Sequence, residues 1–120
     1  MPVDHKIDYL EFPAEDFASI KKFYRSVFSW SFTDYGSEYC AFTDGKINGG
    51  FYLSKNHSDT ENGAVLVVLY AIDLEKTRDT IIRHGGEIVK EIFSFPGGRR
   101  FQFLDPNGNE LAVWSDKLAS

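Results

Sequence analysis

Residues 16–28 read DFASIKKFYRSVF, and the spacing of apolar residues within this stretch decides the fold. Apolar side chains recur there every three or four residues, as they do along one face of an amphipathic helix. The positions are Phe17, Ile20, Phe23, Tyr24, Val27 and Phe28. Asp16 is suited to cap this helix, because its carboxylate can accept hydrogen bonds from the free N–H groups of the first turn. The sequence therefore predicts a helix over residues 16–28.

The segments on either side of this helix predict β-strands. Residues 7–12 look extended and end at Pro13, which disfavours continuing the strand. Three short strand candidates follow the helix, at residues 30–34, 38–43 and 47–53, and turns at Gly36 and Gly45 separate them. The first part of the chain therefore has the predicted order β-α-β-β-β.

The same order repeats in the second part of the chain. After a polar linker, the sequence predicts a strand at residues 65–71, a helix capped by Asp73 and three strands at 87–95, 99–104 and 110–115. Asp73 lies 57 residues after Asp16 (73 − 16), and the inward helix positions of the two parts then coincide. We predict an α+β fold of two tandem β-α-β-β-β modules, residues 1–54 and 64–115 with a linker at 55–63. The modules would form a curled mixed sheet with a concave ligand cavity and helices on the outer face.

Composition excludes several classes of protein. The 120 residues suit a single domain, and the net charge of −5 disfavours nucleic acid and anionic membrane surfaces as partners. The longest apolar run, residues 64–72, is too short to span a membrane, and Cys40 is the single cysteine, so no internal disulfide forms. We expect a soluble, cytoplasmic protein.

Alternation along the outer strands of the two modules predicts which side chains face the cavity. Leu10 and Phe12 are both apolar, so we assign them to the helix side. Tyr9 and Glu11 then point to the opposite, concave face. The same alternation in the last strand puts these residues on the concave side: Glu110, Ala112 and Trp114.

Two motifs resemble a known family. Residues 11–16, followed by 23–30, resemble the ELP…D…FY…VFGW opening of the vicinal oxygen chelate superfamily, which includes glyoxalase I, bleomycin resistance proteins and extradiol dioxygenases. Residues 103–111, FLDPNGNEL, resemble the closing F-DP-GN-L hairpin of the same superfamily. The resemblance covers nearly the whole chain and implies a single glyoxalase-like domain. It is also compatible with a homodimer, and whether the modules pair within one chain or across a dimer stays open.

The resemblance also implies a divalent metal held by four His, Glu or Gln side chains on the concave strands. Three of the corresponding positions are occupied here by Tyr9, Leu66 and Ala112, and the remaining strand, residues 47–53, offers only Asn48. A hard divalent ion needs several oxygen or nitrogen donors. We therefore expect no metal site and no cofactor.

Several other residues are candidates for binding or catalysis. Glu11, among aromatic residues on a concave face, is a candidate general acid or base, although it could instead pair with Arg99 or Arg100 or lie at a solvated rim. Only one of these two adjacent arginines can face inward, and we take Arg100. The predicted ligand-binding residues are Tyr9, Tyr39, Tyr70, Arg100 and Trp114. The three histidines share no chelating spacing, and Cys40 is expected to be a buried, inert thiol.

Three functions fit these residues. The first is a glyoxalase-like or bleomycin-resistance-like protein that binds a small hydrophobic or aromatic metabolite in the concave cavity without a metal. The alternative is a metal-free enzyme of the lyase or isomerase type, in which Glu11 transfers a proton with Tyr9 as a partner. The second alternative is a metal-dependent lyase or dioxygenase whose ligands lie at other positions.

Overall fold

Both predicted helices begin at an aspartate cap. A computed structural model describes residues 2–118, and in it the helix α1 spans Phe17–Phe28 and the helix α2 spans Leu74–Arg83. Asp16 accepts a hydrogen bond from the Ser19 N–H at 3.2 Å, and Asp73 accepts one from the Lys76 N–H at 3.1 Å. These contacts satisfy donors that the first helical turn leaves free.

The strands form two four-stranded sheets with the same topology. The strands of the first sheet are β1 (Tyr9–Ala14), β2 (Ser31–Asp34), β3 (Tyr39–Thr43) and β4 (Asn48–Leu53), in the spatial order β1-β4-β3-β2. Those of the second are β5 (Val67–Tyr70), β6 (Glu87–Phe95), β7 (Gly98–Leu104) and β8 (Glu110–Ser115), in the order β5-β8-β7-β6. In each sheet the first strand is parallel to its neighbour and the other pairs are antiparallel. The fold is thus α+β, a mixed-sheet β-α-β-β-β unit used twice.

Strand β1 has the predicted length of six residues but lies two residues further along the chain, at Tyr9–Ala14 instead of 7–12. It therefore includes Pro13, which the sequence predicts to end the strand and which lies opposite Tyr52. Strand β1 lies at the edge of its sheet, where a residue without an N–H group is tolerated. The backbone carbonyl of Pro13 accepts a hydrogen bond from the Asn109 side chain at 2.7 Å, so it is bonded to the second module.

One hydrophobic core lies on the helix side of both sheets. The indole of Trp30 stacks between the rings of Tyr24 and Phe42, at centroid distances of 4.4 and 4.5 Å. Phe23 on α1 reaches Phe103 on β7 at 6.1 Å, so the first helix packs against the second module. Among residues 2–118, neither helix is both long and apolar enough to cross a membrane.

A hydrogen-bonded seam joins the two modules beside this core. It consists of Pro13 and Tyr24 from the first module and Asp105 and Asn109 from the second. The Tyr24 hydroxyl donates to the Asp105 carboxylate at 2.8 Å, and the Asn109 amide also donates to Asp105, at 3.2 Å. Next to the seam, the side-chain oxygen Oδ1 of Asn107 accepts from the N–H groups of residues 15 and 16, both at 2.8 Å. The DPNGN turn of the second module therefore holds the start of α1.

Candidate functional site

Each sheet has a face turned away from the helices, and this face carries the candidate residues. We define the first face by Tyr9, Glu11, Tyr39, Gly50 and Tyr52. We define the second face by Tyr70, Lys90, Phe93, Phe95, Arg100, Gln102, Ala112 and Trp114. Tyr9 and Tyr70 are 43% and 47% exposed, whereas the core aromatics are buried. Each face is therefore accessible to a ligand at these tyrosines, whereas Gln102 and Ala112 on the second face are buried.

A chain of hydrogen bonds runs across the first face. The Tyr39 hydroxyl donates to the Glu11 carboxylate, with 2.8 Å between the hydroxyl oxygen and Oε2. The Tyr9 and Tyr39 hydroxyl oxygens are 2.7 Å apart. Because the proton of Tyr39 is committed to Glu11, Tyr9 donates to Tyr39. The order is thus Tyr9 to Tyr39 to Glu11, and the Tyr9 oxygen keeps its own acceptor capacity.

The chain depends on the absence of a side chain at Gly50. Gly50 lies between Glu11 on β1 and Ala41 on β3, and the Tyr39 ring crosses directly above it. A Cβ atom at Gly50 would lie 2.0 Å from the Tyr39 hydroxyl oxygen. Any larger residue would therefore displace Tyr39 from Glu11 and Tyr9.

The environment of Tyr39 keeps its hydroxyl protonated. Burial, followed by the hydrogen bonds to Tyr9 and Glu11, raises the pKa of Tyr39 above its ordinary value. Tyr39 therefore remains a hydrogen-bond donor at all physiological pH values and fixes the orientation of the carboxylate beside it.

Open grooves lie on both sides of this chain. One, of about 490 Å³, is lined by Tyr9 and by polar residues of the neighbouring strands such as Thr33 and Asn48. The other, of about 520 Å³, is lined by Glu11, Tyr52 and linker residues including His57. Each volume is in the range of a small-molecule site.

Aromatic rings and an arginine dominate the second face. The Tyr70 and Trp114 rings meet edge to face at a centroid distance of 5.3 Å, and Phe95 lies 6.4 Å from Trp114. Arg100 is opposite Trp114 in the β7–β8 pairing and lies over the Phe93 ring at 5.2 Å. This face therefore combines flat apolar surface with a positive charge.

A polar network supports this arginine from the side of the linker. Arg100 donates to the Gln102 side-chain oxygen at 3.2 Å, and the Gln102 amide donates to Glu110 at 2.6 Å. The Thr60 N–H and hydroxyl donate to the other Glu110 oxygen at 2.8 and 2.7 Å. Burial acts to raise the pKa of Glu110, but the bonds from Thr60 and Gln102 outweigh it and hold that pKa below its ordinary value. Glu110 is thus an ionised anchor.

The structure separates the predicted site residues into two groups. Tyr9, Glu11 and Tyr39 are joined on the first face, and the other three predicted residues, Tyr70, Arg100 and Trp114, lie on the second. Within residues 2–118, no side-chain hydrogen bond links the two groups. Glu11 pairs with neither candidate arginine, since its partner is Tyr39.

Sequence reasoning missed Tyr52, Phe93, Phe95 and Gln102. Strand β6 has register irregularities between residues 88 and 93, so simple alternation does not reveal which face the two phenylalanines occupy. Gln102 could have been found, because it lies two residues after Arg100 on the same strand.

Cys40 is buried, and burial raises the pKa of its thiol.

The residues at the positions to which the resemblance assigns metal ligands do not fit a divalent ion. Tyr9 is engaged with Tyr39, Leu66 is aliphatic, and Ala112 is fully buried opposite Gln102. Within the described part of the chain, no three His, Cys, Asp or Glu side chains are grouped as metal ligands. The side chains at these positions therefore offer too few oxygen or nitrogen donors to hold a divalent ion.

A comparison with protein-family models identifies one family. The model of the Glyoxalase/Bleomycin resistance protein/Dioxygenase superfamily matches residues 6–113. Among curated protein sequences, none matches this chain significantly.

Solved structures with low sequence identity share the fold. A glyoxalase-related enzyme from Fulvimarina pelagi is 12% identical with a TM-score of 0.76, covering 92% of this chain and 88% of that chain. A glyoxalase/bleomycin resistance protein/dioxygenase family enzyme from Burkholderia phytofirmans PsJN is 16% identical, with a TM-score of 0.75 and coverages of 92% and 100%. A variant of the fosfomycin resistance protein FosX from Listeria monocytogenes, complexed with Mn(II) and a dihydroxypropylphosphonic acid, is 15% identical, with a TM-score of 0.75 and coverages of 92% and 90%.

Proposed function

Because the chain belongs to the glyoxalase/bleomycin resistance protein/dioxygenase superfamily, we propose that it binds a small hydrophobic or aromatic metabolite on its concave faces, without a metal ion. The observation that carries this proposal is the exposure of aromatic side chains on these faces. Tyr9, Tyr52 and Tyr70 are 43%, 38% and 47% exposed, beside polar groups that could orient a ligand. Exposed aromatic surface of this kind is typical of binding sites.

The proposal is tested by thermal unfolding in the presence of a library of aromatic and amphipathic metabolites. A ligand that binds only the folded chain raises the melting temperature in a saturable way. Each hit is then measured on Tyr9→Ala and Trp114→Leu, one substitution for each face. Ile82→Ala, on the exposed side of α2, is the control. A library without a single saturable shift, or hits unaffected by both face variants, would contradict the proposal.

A second candidate function, a metal-free enzyme, is supported by the Tyr9–Tyr39–Glu11 chain. Glu11 is exposed, and its Oε2 atom is fixed by Tyr39, so a substrate in the adjoining groove could reach the other carboxylate oxygen. That oxygen could take a proton from a carbon next to a carbonyl group, which is a lyase or isomerase type of step.

The enzyme hypothesis is tested by incubating the protein with small carbonyl compounds in deuterated water. NMR then measures the exchange of their protons for deuterium. Glu11→Gln retains the shape of the side chain but removes the base, so any exchange should fall to the background rate. Exchange that persists in Glu11→Gln would exclude Glu11 as the base.

The homodimer stays a prediction, which sedimentation velocity of the purified chain will test.

A further inference from the structure

We propose that the second face binds a ligand that has a flat apolar body and an anionic group, and that Arg100 holds the anionic group. The inference rests on the proposed binding function and specifies the charge of the ligand. Its chemical class is an aromatic or conjugated carboxylate.

The first observation is a contrast between two adjacent arginines. Arg99 points to the helix side, where its guanidinium donates to the Glu75 carboxylate at 2.6 and 3.2 Å. Arg100 points to the second face and forms no ion pair with any acidic residue among residues 2–118. A half-buried cation has lost part of its hydration, and its two uncharged partners, the Gln102 oxygen and the Phe93 ring, offset that loss only in part. An anionic ligand would offset it.

The second observation is that Arg100 is held in place before any ligand binds. The Glu110 carboxylate only accepts hydrogen bonds, so the Gln102 amide nitrogen must face it. The Gln102 oxygen is then turned towards Arg100, where it accepts from Nη2. Within residues 2–118, the Nε atoms of both Arg99 and Arg100 are buried without a hydrogen-bond partner, so the contacts that hold the Arg100 guanidinium are those with Gln102 and with the Phe93 ring. A side chain that is already ordered in the free protein loses less conformational entropy when a ligand binds.

The third observation is a second positive charge on the same ring. The Lys90 ammonium lies 4.6 Å from the Phe93 centroid, and Arg100 lies 5.2 Å from it. Lys90 also forms no ion pair within residues 2–118. An anion bound beside this ring would be attracted by both positive charges. The acidic groups Glu110, in β8, and Asp116, directly after it, are hydrogen-bonded to Gln102 and Tyr70 respectively.

The aromatic part of the face defines the rest of the ligand. Trp114 lies directly opposite Arg100 across the β7–β8 pairing, and Tyr70 and Phe95 flank it. A planar ring could therefore stack on Trp114 while its carboxylate meets the guanidinium in a two-point contact. Arginine matches carboxylate in this geometry better than lysine does.

The experiment compares two probes of nearly the same shape by isothermal titration calorimetry at pH 7. The probe 2-naphthoate is anionic, and 2-naphthamide is its neutral counterpart. We expect the wild-type chain to bind 2-naphthoate about tenfold more tightly, as a charge-assisted contact implies. Arg100→Met should remove about tenfold of affinity for 2-naphthoate and leave 2-naphthamide unchanged.

Arg99→Met is the matched control, because it makes the same change at the neighbouring residue on the opposite face. It should alter the affinity for neither probe. Gln102→Met tests the positioning role and should weaken 2-naphthoate selectively, with the neutral probe unaffected. Circular dichroism verifies that each variant is folded, and Arg100→Lys, expected to lose only part of the affinity, replaces Arg100→Met if the latter is unstable.

The outcomes separate this inference from the proposed function. Equal affinities of the wild-type chain for the two probes would overturn the anion inference and leave the binding function intact. Equal losses of affinity for 2-naphthoate in Arg99→Met and Arg100→Met would also overturn it. The loss would then come from the change in net charge and not from a contact with Arg100. If neither probe binds, the inference fails, and the metabolite library decides the binding function independently.

Discussion

Hydrogen bonds have different roles in the seam that joins the two modules and on the first and second faces. In the seam, Tyr24, Asp105 and Asn109 are buried, and their side-chain groups are paired with one another or with backbone. On the faces, Glu11 and Arg100 keep part of their capacity free. Buried paired groups stabilise a fold, whereas free groups at an open surface are available to a ligand. Changes in the seam should therefore affect stability, and changes on the faces should affect binding.

The largest expected effect on stability is that of Asn109→Ala. Asn109 is fully buried, donates to the Pro13 carbonyl at 2.7 Å and accepts from the Ser58 N–H at 2.9 Å. Its removal leaves both backbone groups without a partner, which should lower the free energy of unfolding by about 3 kcal/mol. Urea denaturation measures the change. Asn56→Ala, in the exposed linker, is the control, and a similar loss in both variants would show that the seam is not a special source of stability.

The next effect is that of Tyr24→Phe, and it should depend on pH. Burial raises the pKa of Asp105, and the Tyr24 hydrogen bond opposes that rise. The unfolded carboxyl has its ordinary pKa, so Asp105 contributes stability at low pH that is lost as pH rises through the raised folded value. Without the Tyr24 hydroxyl the folded pKa rises further, and more stability is lost. The destabilisation should be about 1 to 2 kcal/mol and larger at pH 8 than at pH 4.

The measurement is urea denaturation of the wild type and Tyr24→Phe at both pH values. Taking the difference cancels the contributions of other carboxyl groups, such as Glu110, whose pKa is shifted in the opposite direction. A destabilisation that is larger at pH 4 would mean that Tyr24 does not stabilise the ionised form of Asp105.

On the first face, Gly50→Ala should disturb the hydrogen-bonded chain with a smaller effect on stability. The new methyl group would displace the Tyr39 ring, and Tyr39 would lose Glu11 and Tyr9. The pKa of Tyr39 should then move back towards that of free tyrosine, because its hydrogen bonds contribute to the rise. NMR titration with labelled tyrosine rings measures this pKa. Gly45 has a left-handed φ of 95° with open space around it, so Gly45→Ala strains the backbone without touching Tyr39 and should leave the Tyr39 titration unchanged. An unchanged Tyr39 titration in Gly50→Ala would exclude the displacement.

The spacing of apolar residues and the capping residues predict the helices and most strand ends, because both signals depend only on residues that are close in sequence. The aspartate caps at Asp16 and Asp73 are examples. Contacts across long separations were not predictable. Tyr24 and Asp105 are 81 residues apart, and the Tyr39 contact with Glu11 depends on the register of three strands. Alternation suggested that Tyr9, Glu11 and Trp114 share a concave side, but not which side chains bond each other.

The smallest expected effect is that of metal ions and chelators, which should leave the melting temperature unchanged. Tyr9, Leu66 and Ala112 lack the donor set that a hard divalent ion requires, so Mn²⁺ should not bind the folded chain preferentially. Thermal unfolding with Mn²⁺, Zn²⁺ or EDTA tests this. A saturable rise in melting temperature would restore the metal-dependent alternative. Repeating it with Glu11→Gln and with Glu110→Gln would then show which face holds the ion, since these carboxylates belong to different sheets.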